Sequence, residues 1–124
     1  MAKQFEFKKG LQLDIAGNVF EVDTTDPDVM RNVLEFADDA KDMAEGLKDV
    51  DNYVEQLKDT IKLCLTAMDA ILGEGASEKI FEGRKVGLMD CLDVMNYIIK
   101  EITEDREERF KIYSPNRAQR RSKK

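Results

Sequence analysis

The side chains of this chain that could carry out chemistry are few. The sequence contains no histidine, so the usual general base near neutral pH and the commonest metal ligand are both missing. The two cysteines, Cys64 and Cys91, fall at apolar positions of helical patterns, and no base accompanies Cys64. We therefore predict reduced, packed thiols rather than a nucleophile or a disulfide.

Three aspartates, Asp38, Asp39 and Asp42, are the other candidates for chemistry. They could hold a divalent ion loosely, or they could form the solvated face of a helix. The solvated face is the prediction, because carboxylates at this spacing are common on exposed helices. The residues therefore predict no catalytic site, no cofactor, no metal and no enzyme activity.

Length and composition bound the class of protein. A chain of 124 residues, 37% charged and 42% hydrophobic, suits one helix-rich domain with a single core. No apolar run approaches the roughly 20 residues that span a bilayer, and the first residues do not resemble a signal peptide. We predict a cytoplasmic protein without membrane contact, consisting of one domain over residues 1–113 and a flexible tail over 114–124.

The tail differs in charge from the rest of the chain. The net charge is −6, yet residues 114–124 hold no acidic residue and five basic ones: Arg117, Arg120, Arg121, Lys123 and Lys124. Such a tail can bind nucleic acid, improve solubility or dock a protein. Without interleaved aromatic residues the nucleic-acid interpretation is weak.

The chain is organised around a central helix predicted over residues 50–72. The apolar residues follow steps of four and three, which places them on one helical face: Val50, Val54, Leu57, Ile61, Cys64, Met68 and Ile71. Asp49 or Asp51 could cap the start, and Gly73 could provide a left-handed cap at the end. This stripe requires other apolar faces as partners.

Two further long helices and one short helix supply those faces. Asp26 and Pro27 predict the start of the first, which ends near Lys48 and pairs with the central helix as an antiparallel hairpin. Its stripe is Met30, Val33, Ala37, Ala40, Ala44 and Leu47. A short helix over residues 78–82, capped by Ser77, precedes the last helix over 86–112. The stripe of the last helix is Leu88, Cys91, Met95, Ile98 and Ile102.

Residues 4–24 show the alternation of apolar and polar residues that is typical of strands. Phe5 and Phe7 alternate with polar residues, as do Leu11, Leu13 and Ile15. Residues 16–18 are predicted to form a turn between two strands. This predicts an N-terminal β-hairpin that either packs on the helices or offers an open edge to a partner strand. The fold class is therefore mostly α, with a β-hairpin followed by three long helices and one short helix.

Several stretches together resemble tail assembly chaperones of long-tailed phages and prophages of Gram-positive bacteria. The similarity lies in residues 5–11, 15–23, 71–76 and 79–84, and in the basic segment 116–121. It implies a chaperone in the host cytoplasm that binds the helical tape measure protein, keeps it soluble and helps recruit tail tube subunits. It also implies a longer form made by ribosomal frameshifting near Lys123 and Lys124.

Pattern and resemblance together suggest a contact surface at Ile80, Phe81, Leu88 and Met89. An acidic helical protein with a partly open apolar groove could cover the apolar stripes of a client helix. The alternatives are a structural or accessory tail or capsid subunit and a nucleic-acid-binding regulator that uses the basic tail. A small homo-oligomer fits all three hypotheses.

Overall fold

The computed structural model describes residues 2–48 and 50–113. The elements are β1 (Leu11–Ile15), β2 (Asn18–Val22), α1 (Pro27–Gly46), α2 (Tyr53–Leu72), α3 (Ala76–Ile80) and α4 (Leu88–Lys111). The predicted fold class is confirmed: an N-terminal antiparallel hairpin is followed by three long helices and one short one. The basic tail predicted over 114–124 lies outside the described residues.

The β-hairpin forms because its turn residues adopt positive φ angles. Ala16 and Gly17 have φ values of 55° and 84°, as a two-residue turn matching the strand twist requires. Ile15 pairs with Asn18 beyond this turn, so Asn18 belongs to β2 rather than to the turn. The buried face of the hairpin packs on α2 and α4, which confirms that it forms part of the core. This face consists of Leu13, Ile15, Phe20 and Val22.

The strand expected around Phe5 and Phe7 does not form, which corrects the prediction. Residues 2–10 contain no strand, and the two phenylalanines are 76% and 89% exposed. The physical reason lies at the junction with β1. The Lys9 carbonyl accepts a hydrogen bond from Arg109, and the Gly10 N–H donates one to Glu21. These contacts extend the chain at the point where a turn would have been needed.

Helix α1 begins as the sequence predicts, with Asp26 as N-cap accepting from the Asp28 N–H, but its buried face is rotated. Phe36 is buried together with Val33, whereas Ala37 is exposed. Burying the larger apolar surface of phenylalanine stabilises the fold more than burying alanine. The predicted stripe through Ala37 and Ala44 was therefore wrong at these two positions, since Ala44 is exposed as well.

Helices α1 and α2 form the predicted antiparallel pair. The Asn32 side chain near the start of α1 donates to the Ala70 carbonyl near the end of α2. At the other end of the pair, a Cβ on Gly46 would lie 2.5 Å from the Gln56 side-chain oxygen. Helix α2 starts three residues later than predicted, with Asn52 as N-cap instead of an aspartate. It ends at Gly73 as predicted, although φ 118° and ψ 157° are not left-handed helical values.

Helix α3 starts two residues before the predicted Glu78, and Ser77 is not its cap. The Ser77 N–H lies inside α3 and donates to the Asp69 carboxylate of α2 over 2.8 Å. Helix α4 brings the expected stripe into the core, with Cys91, Met95, Ile98 and Ile102 all fully buried.

A polar network ties the hairpin to the C-terminal half of α4. The Thr24 hydroxyl, which is buried, donates to the Asp105 carboxylate over 2.7 Å. Arg109 donates to the same carboxylate oxygen over 2.7 Å and also to the Lys9 carbonyl over 2.9 Å. Asp105 is therefore the acceptor that joins three segments of the chain.

Removing this acceptor should destabilise the protein. We expect Asp105→Ala to lower the free energy of unfolding by about 2–3 kcal/mol, because the buried Thr24 hydroxyl loses its acceptor. Urea denaturation followed by circular dichroism measures the change. The matched control is Glu104→Ala at an exposed neighbouring position, expected to change stability by less than about 0.5 kcal/mol. Equal effects of the two substitutions would contradict the role given to Asp105.

Candidate functional site

The apolar stripe of α2 is covered along only part of its length. Cys64 and Met68 are fully buried and Ile71 nearly so, but Val54 on the same stripe is 62% exposed. Leu57 and Ile61 between them are half-buried. We call Val54, Leu57 and Ile61 the uncovered stripe. It continues the apolar stripe of α2 for two turns towards the helix start, and only its last member, Ile61, still packs against the core.

The directions of the helices explain why these two turns are uncovered. Near the start of α1, Met30 contacts Arg106 of α4. Farther along α1, Phe36 lines a small cleft together with Cys64 of α2 and Leu92 of α4. Since α1 is antiparallel to α2, this places α2 and α4 in the same direction. Helix α4 begins only one turn before Leu92, so it cannot cover the turns of α2 that precede Cys64 by more than about one turn.

A small apolar cleft adjoins the uncovered stripe. Its volume is about 70 Å³, and it lies where α1, α2 and α4 meet. The lining residues are Phe36, Ala40, Ala44, Leu47, Thr60, Leu63, Cys64 and Leu92. Because Ala40 and Ala44 have small side chains, α1 fills little of the cleft and another helix could approach it closely. The cleft is lined by Thr60 and Cys64 of α2, which lie within one turn of Ile61, but not by the stripe residues themselves. We call the cleft and the uncovered stripe together the groove, because both offer apolar surface of the kind to which an amphipathic helix binds.

Helix α1 is acidic on the side that faces away from the cleft. It carries Asp38, Asp39 and Asp42 there, all exposed. No group of three or more potential ligands that could hold a metal ion occurs within residues 2–48 and 50–113.

The contact residues predicted from the sequence are only partly on the surface. Ile80 and Phe81 are 4% and 7% exposed, so they are core residues and cannot form a contact surface in this fold. The reason is that α3 starts earlier than predicted and packs against α2. Leu88 is half-buried, and Met89 is 67% exposed on the outer face of α4.

Sequence reasoning assigned the uncovered stripe to the core. Val54, Leu57 and Ile61 follow the same spacing as the buried residues of α2, and that spacing does not show where the covering helix starts. The basic residues predicted in the tail lie outside the described residues: Arg117, Arg120, Arg121, Lys123 and Lys124.

Both cysteines are free and buried, as predicted. Burial, followed by the nearby Cys91, raises the pKa of the Cys64 thiol to about 11. Burial, followed by the charge of Asp90, also raises the pKa of Cys91. A thiol with a raised pKa is protonated and unreactive near neutral pH, so these residues contribute packing rather than chemistry.

The Cys64 thiol should make stability depend on alkaline pH. Its pKa is higher in the folded protein than in the unfolded chain, so its contribution is complete below about pH 9 and lost as pH rises towards 11. Between these values the wild type should lose about 2 kcal/mol relative to Cys64→Ala, because each pKa unit corresponds to about 1.4 kcal/mol and the folded thiol is only half ionised at pH 11. Urea denaturation of both proteins from pH 7 to 11 measures this difference. Parallel pH curves would contradict the assignment.

No helix of the described residues is both long and apolar enough to cross a membrane. Comparison with known proteins gives no significant match among curated proteins or solved structures. A family model matches residues 16–124, which include β2 and all four helices and therefore the whole groove. The chain belongs to the family of unknown function DUF6673.

Proposed function

We propose that this protein is a tail assembly chaperone of a long-tailed phage or prophage that binds the tape measure protein. The observation that carries the proposal is the uncovered stripe: the apolar stripe of α2 continues towards the helix start through the exposed Val54 and the half-buried Leu57 and Ile61, where α4 no longer covers it. The resemblance of the sequence to such chaperones supplies the identity of the client.

The groove would bind one apolar face of a client helix. A tape measure protein is a long helix whose apolar stripes aggregate when they are left in water. Fully burying an aliphatic side chain stabilises a complex by about 1.5–3 kcal/mol. Val54 would contribute most of this amount and the half-buried Leu57 and Ile61 a smaller part each, so each copy would bind weakly and reversibly. A chaperone requires reversible binding because its client must later be released into the tail.

The acidic surface would keep the complex in solution. The net charge of the chain is −6, and Asp38, Asp39 and Asp42 lie exposed on α1. Like charges on neighbouring complexes repel each other, which counteracts aggregation along a client that binds several copies. Basic residues flanking the apolar face of the client would be attracted to the same carboxylates.

The proposal extends to the finer features that the resemblance implies. The chaperone would act in the cytoplasm of the bacterial host and help bring tail tube subunits to the tape measure protein. A longer form would arise by programmed frameshifting near Lys123 and Lys124. A tape measure gene directly downstream, with an overlapping reading frame, would support this arrangement.

Co-expression tests the proposed function. The tape measure protein of the same phage or prophage should be insoluble alone, and soluble and co-purified when this chain is expressed with it. An insoluble client without co-purification would overturn the proposal. Large ordered assemblies of this chain alone, seen by light scattering, would favour a structural subunit instead. Salt-dependent binding to DNA or RNA that disappears on deleting residues 115–124 would favour a nucleic-acid-binding regulator.

A further inference from the structure

The N-terminal arm, residues 2–10, carries a strand pattern but belongs to no sheet. Phe5 and Phe7 are 76% and 89% exposed, and their rings meet edge to face at 5.0 Å. A separate cavity of about 880 Å³ lies between the arm and the end of α4, where Phe110 and Tyr113 form the opposite wall. The arm therefore leaves two large aromatic side chains in water, which costs free energy unless another surface covers them.

The hairpin has an edge that could take another strand. The sheet of the described residues has two strands. Because Ile15 pairs with Asn18, the backbone polar groups of Val19 and Glu21 point towards the outer edge of β2. Within residues 2–48 and 50–113, no backbone hydrogen bond connects these groups to a further segment. The Asn18 side chain donates to the Lys79 carbonyl, so α3 contacts the hairpin at the end of β2 that follows the turn.

The base of the arm is fixed against the end of its own hairpin. The Lys9 carbonyl accepts a hydrogen bond from Arg109, and the Gly10 N–H donates one to the Glu21 side chain. A Cβ on Gly10 would lie 2.7 Å from the Val22 carbonyl oxygen, so the backbones are in close contact there. Pairing the arm with β1 of its own chain would require a reversal at residues 9 and 10 that breaks these contacts, whereas pairing with a second copy requires no reversal.

The charge of the arm is opposite to that of the hairpin edge. The arm carries Lys3, Lys8 and Lys9 against one acid, Glu6. Residues 11–26 contain no basic residue and four acidic ones: Asp14, Glu21, Asp23 and Asp26. Val19 is 64% exposed on the outer face of β2, where a neighbouring phenylalanine would form a favourable cross-strand pair.

We propose that the N-terminal arm of one copy of this chain adds as a third strand along β2 of a second copy. Phe5 and Phe7 then lie beside Val19 of the second copy, and the arm lysines face its hairpin carboxylates. The backbone groups of the β2 edge gain hydrogen-bond partners, as in other cases of strand addition. This inference concerns contacts between copies and does not depend on the identity of the client.

The mass of the full chain in solution is the first test. Analytical ultracentrifugation across a range of concentrations should show a reversible oligomer for the wild type. Phe5→Glu/Phe7→Glu should raise the dissociation constant at least about 100-fold, because two buried aromatic side chains are lost. The control Leu34→Glu removes an apolar side chain that is 61% exposed on α1 and should leave the oligomer unchanged. A monomer at all concentrations, or an oligomer insensitive to the double substitution, would overturn the proposal.

Crosslinking locates the contact without any substitution. A mixture of unlabelled and ¹⁵N-labelled protein is treated with a zero-length carbodiimide reagent, which joins amines to adjacent carboxylates. Isotopically mixed crosslinks should connect Lys3 or Lys8 with Glu21 or Asp23. Mixed crosslinks that connect only other regions would show that the copies meet elsewhere, and would overturn the proposal even if the protein is oligomeric.

Discussion

Replacing Ile80 by glutamate is expected to unfold the protein, whereas Met89→Glu should leave its fold intact. The Ile80 side chain is 4% exposed inside the core, and the Met89 side chain is 67% exposed on α4. A carboxylate at position 80 would be buried without a partner, at a cost of at least about 4 kcal/mol. Domains of this size have a total stability of about 5–15 kcal/mol, so most of it would be lost.

Met89 provides a matched control for this substitution. It lies in the first turn of α4, where a glutamate interacts favourably with the positive end of the helix dipole. Circular dichroism and thermal denaturation of both variants measure the difference. Equal stability of Ile80→Glu and Met89→Glu would show that α3 does not pack as described. Ile80 and Phe81 would then again be candidates for the contact surface.

Under the proposed function, replacing Val54 by glutamate is expected to weaken binding of the tape measure client about 100-fold while the protein stays folded. Val54 is the most exposed member of the uncovered stripe, at 62%. Binding the client would bury the new carboxylate against an apolar face, and the loss of about 3 kcal/mol corresponds to two orders of magnitude in affinity. The position is in the first turn of α2, where an acidic residue does not destabilise the helix.

Thr66→Glu is the control for this experiment. Thr66 is exposed and lies two residues from Cys64, on the opposite side of α2. Both variants should have the stability of the wild type, but only Val54→Glu should fail to keep the client soluble and bind it in a titration. Equal affinities for both variants would exclude the uncovered stripe as the binding surface.

Local patterns were sufficient to predict most of the helices and strands. The four-and-three spacing of α4 predicted Cys91, Met95, Ile98 and Ile102 as core residues, and all four are fully buried. The turn before Asn18 and the cap at Asp26 followed from residues with special backbone preferences. Such features depend on neighbours in the sequence, so a single chain is enough to identify them.

The errors occurred where packing between distant segments decides the outcome. On α1, Phe36 is buried instead of Ala37 because packing against α2 favours the larger side chain. Phe5 and Phe7 have the alternation of a strand, but Arg109, one hundred residues from Lys9, helps hold the chain where a turn would have been needed. No local pattern contains these contacts.

The candidate site follows from tertiary structure for the same reason. The stripe from Val54 to Ile71 has one uninterrupted period in the sequence. Only the direction and starting point of α4 divide it into a buried half and an uncovered half. A pattern can thus predict that an apolar face exists, but whether the face belongs to the core or to a partner depends on how far the covering helix extends.

Hydrogen–deuterium exchange of the full chain with and without the tape measure protein tests the central claim most directly. The uncovered stripe lies in the first turns of α2, whose amides are the least protected by packing in the unbound protein. We predict slower exchange over residues 53–61 and at the start of α4 when the client is present, with no change around Thr66. A stable complex in which residues 53–61 exchange at the unbound rate would contradict the account.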